Sequence, residues 1–191
     1  MKEALGYKLI LAFAGAEAPE RIRKWVAERP LAGFTHFRPL NVKSPAQVRA
    51  LTAELQTLVA QNGRPPLLFA VDQEGGQLVA LGTDSTHFPG NMALAAARDA
   101  DLTYRVGRAI GREMAAMGVH INYAPDCDIN TTPHNPAAGI RTFGDDPALA
   151  AEMAGAMVSG LQLAFGRGLI EDRHIEKSVA RIMALKQWVG Q

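Results

Sequence analysis

The chain of 191 residues is 48% apolar and 20% charged, the make-up of an ordinary globular protein long enough to build one core without disulfide staples. Twenty Lys+Arg against nineteen Asp+Glu leave a net charge of +1 with no basic block, which argues against nucleic acid or an anionic membrane as the main partner. A closed eight-fold (β/α) barrel takes about 250 residues and rarely fewer than about 200, so a complete, elaborated barrel does not fit this length.

In chain order, the first feature is the apolar run at 8–14. With Lys2 and Lys8 ahead of it, the run resembles the core of a secretory signal peptide with a small-residue cleavage site. It is short, and Glu3 and Lys8 crowd it. The favoured reading is a buried parallel strand, followed by a loop and a helix that begins near Pro19 and places Ile22, Trp25 and Val26 on one face. A second strand is predicted over 33–37. Ser44 then offers an N-cap with Pro45 at the first helical position, and Val48, Leu51, Leu55 and Leu58 recur at helical spacing.

Pro65 and Pro66 punctuate the entry to the clearest strand, 67–72, which ends in Gln73-Glu74-Gly75-Gly76. Turn chemistry at Pro89-Gly90 leads to a helix over roughly 100–117, which Gly118 stops as helix C-termini prefer. A fourth strand follows at 119–124 and runs into a loop rich in Pro, Asn and Gly. Asp145 or Asp146 can cap the Ala-rich helix from Pro147 to about Phe165, and Gly166-Arg167-Gly168 breaks it. A last amphipathic helix carries Ile175, Val179, Ile182, Met183 and Leu185 on one face.

Strands alternating with helices predict a parallel sheet whose functional loops gather at the C-terminal ends of the strands. The irregular segments after Val71 and Ala124 lie at that end, and the loops after the helices are short. No run approaches the roughly 20 apolar residues that span a bilayer, so no membrane partner is expected. The single cysteine, Cys127, cannot close an intrachain disulfide and has no Cys or His neighbours at zinc-ligand spacing. A reducing, cytoplasmic compartment and no structural metal are therefore expected. His36, His87, His120 and His134 are scattered and read as packing or loop residues. Gly75-Gly76 is too short for a phosphate cradle and lacks G-x-G-x-x-G context, so no cofactor is expected. Met92, Met114, Met117, Met153, Met157 and Met183 fall on helical faces and read as core filling.

Several motifs in order carry a family resemblance: 71–76 (Val-Asp-Gln-Glu-Gly-Gly), 88–94 (Phe-Pro-Gly-Asn-Met-Ala-Leu), Asn122-Tyr123-Ala124-Pro125 with Asp128, Asn135-Pro136, and 139–147 (Gly-Ile-Arg-Thr-Phe-Gly-Asp-Asp-Pro). Together they resemble the N-terminal half of glycoside hydrolase family 3, most closely its single-domain bacterial β-N-acetylhexosaminidases. The resemblance runs from about Lys8 to Gln162. In the family a fifth strand with a Lys-His-Phe-Pro-Gly-His-Gly motif follows, then strands six to eight with a Ser-Asp motif that carries the nucleophile. Here Gly160-Leu161-Gln162 passes instead into 169–190, which resembles the family's final barrel helix.

The resemblance therefore implies half of a TIM (β/α)8 barrel within a single domain, 1–191. Residues 8–165 form a (β/α)4 half-barrel of four parallel strands with flanking helices, and 169–190 form a closing C-terminal helix. It also bears on catalysis. A retaining glycosidase sets a nucleophilic carboxylate and a general acid about 5–5.5 Å apart. The sequence holds no Ser-Asp dipeptide, and Asp172-Arg173-His174, which matches the family's Asp-x-His acid by letter, sits at the start of the closing helix and reads as chance or capping chemistry. No catalytic residue is assigned.

What the resemblance retains is part of a sugar-binding floor. Asp72 would accept hydrogen bonds from sugar hydroxyls and Arg141 would donate to the sugar next to the cleaved bond, with Glu74 and Asp128 beside them. The chemistry suits the roles, since a carboxylate accepts two hydroxyl donors and a guanidinium offers a planar fork. Many relatives follow Glu-Gly-Gly with arginines, whereas this chain has Gln77, Leu78, Val79 and Ala80. Structural readings stand beside the functional ones. Asp72 and Glu74 can cap or hold the next loop, and Arg141 can pair with Asp126, Asp128 or Asp145. Asp126 and Asp128 can form an acid/base pair, or Asp128 can bond loop amides.

A four-stranded half-barrel leaves two strand edges and an apolar face open, and both need covering. A homodimer pairing strand one of each chain with strand four of the other completes eight strands. A monomer that folds its final helix over the open face is the competing arrangement. Three functional classes follow: a family 3-type enzyme acting on a β-linked amino sugar or glucoside with reduced activity, a non-catalytic sugar binder, and a half-barrel whose main property is self-assembly. The absent nucleophile favours the last two.

Overall fold

The computed structural model describes residues 5–82, 84–132 and 134–165. Its main sheet has four parallel strands in the order β1-β2-β3-β6: β1 (Ile10–Leu11), β2 (Gly33–Thr35), β3 (Leu68–Val71) and β6 (Ile121–Asn122). Helices α1 (Glu20–Glu28), α3 (Pro45–Gln61) and α5 (Ala100–Ala116) connect successive strands, and α6 (Pro147–Phe165) follows β6. This is the expected half-barrel, built from the expected βα units. The region 169–190, where the closing helix was predicted, lies outside the described residues.

The caps follow the chemistry of the sequence. Ser44 Oγ accepts the Gln47 amide hydrogen bond at 3.2 Å with Pro45 at the first turn, and Asp99 Oδ1 accepts from the Leu102 amide at 2.8 Å. At α6 the cap is Asp146, whose Oδ1 accepts from the Ala148 amide at 2.9 Å. Gly118 has φ +73, the left-handed conformation that ends a helix at little cost only for glycine.

Two apolar clusters hold the layers together. One joins Ile22 and Val26 of α1 and Leu51 and Leu55 of α3 to Phe34 and Phe69 of the sheet, with Phe13 set edge-to-face on Phe34 at 5.1 Å. The other joins Val71 to Ile110, Met114, Met153, Met157 and Phe143 under α5 and α6. The core role read for Met114, Met117, Met153 and Met157 holds, since all four are buried. Helices α5 and α6 approach closely through glycines: a Cβ at Gly107 would lie 2.4 Å from the Met157 carbonyl oxygen, and one at Gly160 would lie 2.1 Å from that of Tyr104.

Three expectations are corrected. Trp25 does not share the buried face of Ile22 and Val26; it is 40% exposed, because it lies off the stripe that those two residues direct onto the sheet. The fourth strand is shorter than 119–124, since at the sheet edge only Ile121–Asn122 finds a ladder partner, on β3. The long segment between β3 and α5, for which the sequence showed only turn chemistry at Pro89-Gly90, holds added regular structure. It folds into a hairpin of β4 (Gln73–Gly75) and β5 (Leu78–Val79) and a short helix α4 (Asn91–Ala97), while Arg38–Asn41 adds a further turn, α2.

Candidate functional site

The C-terminal end of the sheet is assembled by polar side chains that tie loops to strands. Asp72 directly follows β3, and the chain turns at once into β4. Asn122, at the end of β6, clamps that turn from both sides: its Oδ1 accepts from the Gln73 amide and its Nδ2 donates to the Gln73 carbonyl, each at 2.9 Å. Gln73 Oε1 in turn accepts from the Leu81 amide at 3.1 Å.

The Gly-Gly pair then has a steric role. Gly75 and Gly76 both take positive φ, +86 and +59, and a Cβ at Gly76 would lie 2.7 Å from Gly90 Cα. This contact sets the β4-β5 turn against the start of α4. Asn91, the first residue of α4, donates from Nδ2 to the Arg141 carbonyl at 2.6 Å, so the turn, α4 and the long loop after β6 are joined.

Arg141 closes the short 3-10 turn Gly139–Arg141 and reaches back to β4. Its Nε donates to Glu74 Oε2 at 2.9 Å and its Nη2 to Glu74 Oε1 at 2.6 Å, while Nη1 donates to the Ala137 carbonyl at 3.0 Å. The Glu74 carboxylate is buried. Arg141 therefore pairs with Glu74, with Asp126 at the edge of range, 4.0 Å from Nη2. Asp128 and Asp145, the other partners considered, make no ion pair with it among the described residues. Glu74 is the residue with the loop-holding role, because its position on β4 aims its carboxylate at the loop.

The loop-amide role considered for Asp128 falls to Asp126 instead. Asp126 Oδ1 accepts from the Asp128 amide at 2.9 Å, and Asp126 is the more buried of the two. Asp128 is exposed, and β6 has ended before it, so the two carboxylates do not share a strand face.

Asp72, Glu74, Asp126, Asp128 and Arg141 nonetheless line one cleft of about 330 Å³, together with Tyr123 and Asn135. Asn135 Oδ1 accepts from the Ala137 and Ala138 amides and shapes the wall. The Asp72 carboxyl is pushed above its ordinary range, first by desolvation and then by the Glu74 charge, with Arg141 opposing. Hydrogen bonding to Glu74 holds the guanidinium firmly charged. A cleft with several carboxylate acceptors and one fixed cation suits a neutral ligand rich in hydroxyl donors. A second cavity of about 360 Å³ lies beyond the Glu74–Arg141 pair, against Gly76, Asn91, Met92 and Ile140.

The four residues singled out by sequence thus meet at one cleft. The tying residues Asn122, Gln73, Asn91 and Asn135 were not foreseen, although each lies within or beside a quoted motif; an amide at a strand end or before a turn is the signal that marks them. The histidines stand as packing residues where buried. His36 is fully buried against Phe69, its pKa lowered to about 4 by desolvation, and His120 Nδ1 accepts from the Phe69 amide at 3.2 Å. Among the described residues no group of three or more His, Cys, Asp or Glu could hold a metal ion, and no helix is long and apolar enough to cross a membrane.

Parallel strands alternating with helices, with a polar cleft where the strands end, define half of a (β/α) barrel. The sequence pattern described as "Glycosyl hydrolase family 3 N terminal domain" matches residues 6–185, and the chain belongs to that family. It is 34% identical over 187 residues to a β-hexosaminidase of Nitrosomonas eutropha, covering 90% of this chain and 52% of that protein. It is 31% identical to β-hexosaminidase A of Pseudoalteromonas piscicida, covering 76% of this chain and 25% of that protein. The chain therefore spans between a quarter and about half of the length of these curated relatives.

Solved structures agree. A family 3 β-N-acetylglucosaminidase from Paenibacillus sp. superposes with a TM-score of 0.81 at 41% identity, covering 86% of this chain and 31% of that one. NagZ from Neisseria gonorrhoeae, solved in complex with N-trifluoroacetyl-D-glucosamine, gives a TM-score of 0.71 at 26% identity, covering 82% and 47%.

Proposed function

We propose that this chain is a family 3 sugar-binding half-barrel for β-linked amino sugars, or the corresponding glucosides, with little or no hydrolytic turnover of its own. The observation that carries the reading is the cleft at the strand ends, where Asp72 lies beside the guanidinium of Arg141. The relatives' names, β-hexosaminidase and β-N-acetylglucosaminidase, point to the same class of sugar. Asp72 takes hydroxyl donors, Arg141 donates from the Nη hydrogens that Glu74 and Ala137 leave unused, and Asp126 and Asp128 border the floor. The 191 residues contain no Ser-Asp dipeptide, which supports weak turnover through the loss of the nucleophile that the family resemblance places on that motif.

Ligand-detected NMR with N-acetylglucosamine tests the site, and an aryl β-N-acetylglucosaminide and an aryl β-glucoside test turnover. Binding to the wild-type chain, its loss in Asp72→Ala, and no aryl release are expected. Release that Asp72→Ala abolishes would sink the non-catalytic reading, and absence of binding to wild type would sink the sugar site.

A second reading concerns assembly. Among the described residues β1 and β6 each pair on one side only, and Leu68 on the central strand β3 is 43% exposed. A homodimer that pairs β1 of each protomer with β6 of its partner would complete eight strands. In this reading 1–191 is one domain, 8–165 its half-barrel and 169–190 its closing helix, and the lone Cys127 favours a cytoplasmic setting. Light scattering is expected to give twice the 20.5 kDa of the chain; a strict 20.5 kDa monomer excludes the dimer.

A further inference from the structure

We propose that Tyr123 is the platform on which the sugar ring stacks in this cleft, an inference that rests on the sugar-site reading and adds to it the apolar half of the recognition. A pyranose has a rim of hydroxyls and a face of C–H groups. Carboxylates and a guanidinium recognise the rim, and an aromatic ring is the side chain best suited to the face.

Among the described residues Tyr123 is the single aromatic lining the cleft, where it stands with Asp72, Asp126 and Arg141. It is 50% exposed at the end of β6, so packing in the core does not account for a large apolar ring there. Its position is nevertheless fixed at both ends. The backbone amide donates to the Val71 carbonyl at 2.9 Å, and the phenolic oxygen lies 3.3 Å from Thr35 Oγ1.

Thr35 belongs to β2, with β3 lying between it and β6, so the side chain crosses over the central strand. The β3 residue in register with Thr35 is Ala70, whose methyl group is small enough to let a ring pass. The crossing brings the ring to the level where β3 ends and Asp72 begins, so face and rim contacts fall on one ligand. A ring held in this way loses little side-chain freedom when it meets a ligand, which favours binding.

The test uses the full chain and methyl N-acetyl-β-D-glucosaminide, followed by ligand-detected NMR and calorimetry. Tyr123→Phe keeps the ring and is expected to bind within a few-fold of wild type. Tyr123→Ala is expected to weaken binding about tenfold, the scale of one lost aromatic contact. Tyr123→Leu keeps apolar bulk without a π-face and serves if the alanine variant fails to fold; it is expected to bind as weakly as alanine. In wild type and Tyr123→Phe the sugar ring protons shift upfield from the aromatic ring current, and in the other two they do not. Wild-type affinity in Tyr123→Ala or Tyr123→Leu, with binding still lost in Asp72→Ala, overturns the platform and leaves the sugar site standing. No binding to wild type overturns the sugar site and the platform with it.

Discussion

Glu74 and Arg141 stand 67 residues apart in the chain and meet as a two-pronged ion pair, Nη2 to Oε1 at 2.6 Å and Nε to Oε2 at 2.9 Å. The pair ties the β4 strand to the long loop after β6, and both walls of the cleft depend on it. The carboxylate is 6% exposed and the guanidinium 30%, so solvent screens the contact in part.

Removing one partner leaves the other desolvated. Glu74→Ala is expected to cost about 2 kcal/mol, which for a domain of this size lowers the thermal midpoint by about 4–8 °C. Glu74→Gln, which keeps one acceptor for Arg141, falls between. Calorimetric melts of the three proteins check the order, and an unchanged midpoint in the alanine variant would show that the pair does not hold the loop.

The raised Asp72 carboxyl makes sugar affinity pH-dependent. The residue accepts two hydroxyl donors only when ionised, so affinity falls as pH drops through its folded pKa, which lies above the ordinary aspartate value because of desolvation and the Glu74 charge. The stability effect has the opposite sense: protonation is favoured in the fold, so this group contributes most at low pH and loses its contribution as pH rises through the folded pKa. A carboxyl-carbon NMR titration locates the step. A midpoint at or below that of an ordinary aspartate would remove the basis for the acid limb.

His36 carries a separate acid sensitivity. It is fully buried, and desolvation lowers its pKa from 6.5 to about 4, with the Asn41 side chain opposing in part. The neutral ring is favoured in the fold, so its contribution is complete above pH 6.5 and is lost as pH falls towards 4. Across that window the loss is on the order of 3 kcal/mol. Denaturant titrations at pH 7 and pH 4.5 are expected to show a smaller acid loss in His36→Phe than in wild type; equal losses would place the sensitivity elsewhere.

Two glycines of α6 predict opposite effects of one substitution. At Gly160 a Cβ would meet the Tyr104 carbonyl oxygen at 2.1 Å, which only a shift of α5 against α6 relieves, so Gly160→Ala is expected to destabilise by about 2 kcal/mol. Among the described residues a Cβ at Gly155 would meet nothing within 4 Å outside its own helix backbone, and Gly155→Ala is expected to stabilise by about 0.5–1 kcal/mol through helix propensity alone. Urea midpoints of the two variants decide it, and the same sign for both would contradict the close helix crossing.

Features set by a few adjacent residues were legible in the chain before it folded. Apolar runs bounded by proline and glycine marked the strands, and Ser44 before Pro45 and Gly118 after the helix marked boundaries, because capping and left-handed turns are set by a few adjacent residues. The ordered motifs gave the family, and with it Asp72, Glu74, Asp128 and Arg141, since strand ends collect functional loops wherever parallel strands alternate with helices. Tertiary structure decided the pairings. Asp126, Asp128 and Asp145 lie near Arg141 in the sequence and stood as its candidate partners, whereas Glu74 lies 67 residues away. The choice of Glu74 came from the β4-β5 hairpin, whose tight Gly75-Gly76 turn rests on Gly90, a contact between distant segments that no local pattern encodes. For the same reason Tyr123 was visible as a letter in a motif, while its hold on Thr35 across the central strand emerged only when β2, β3 and β6 lay side by side.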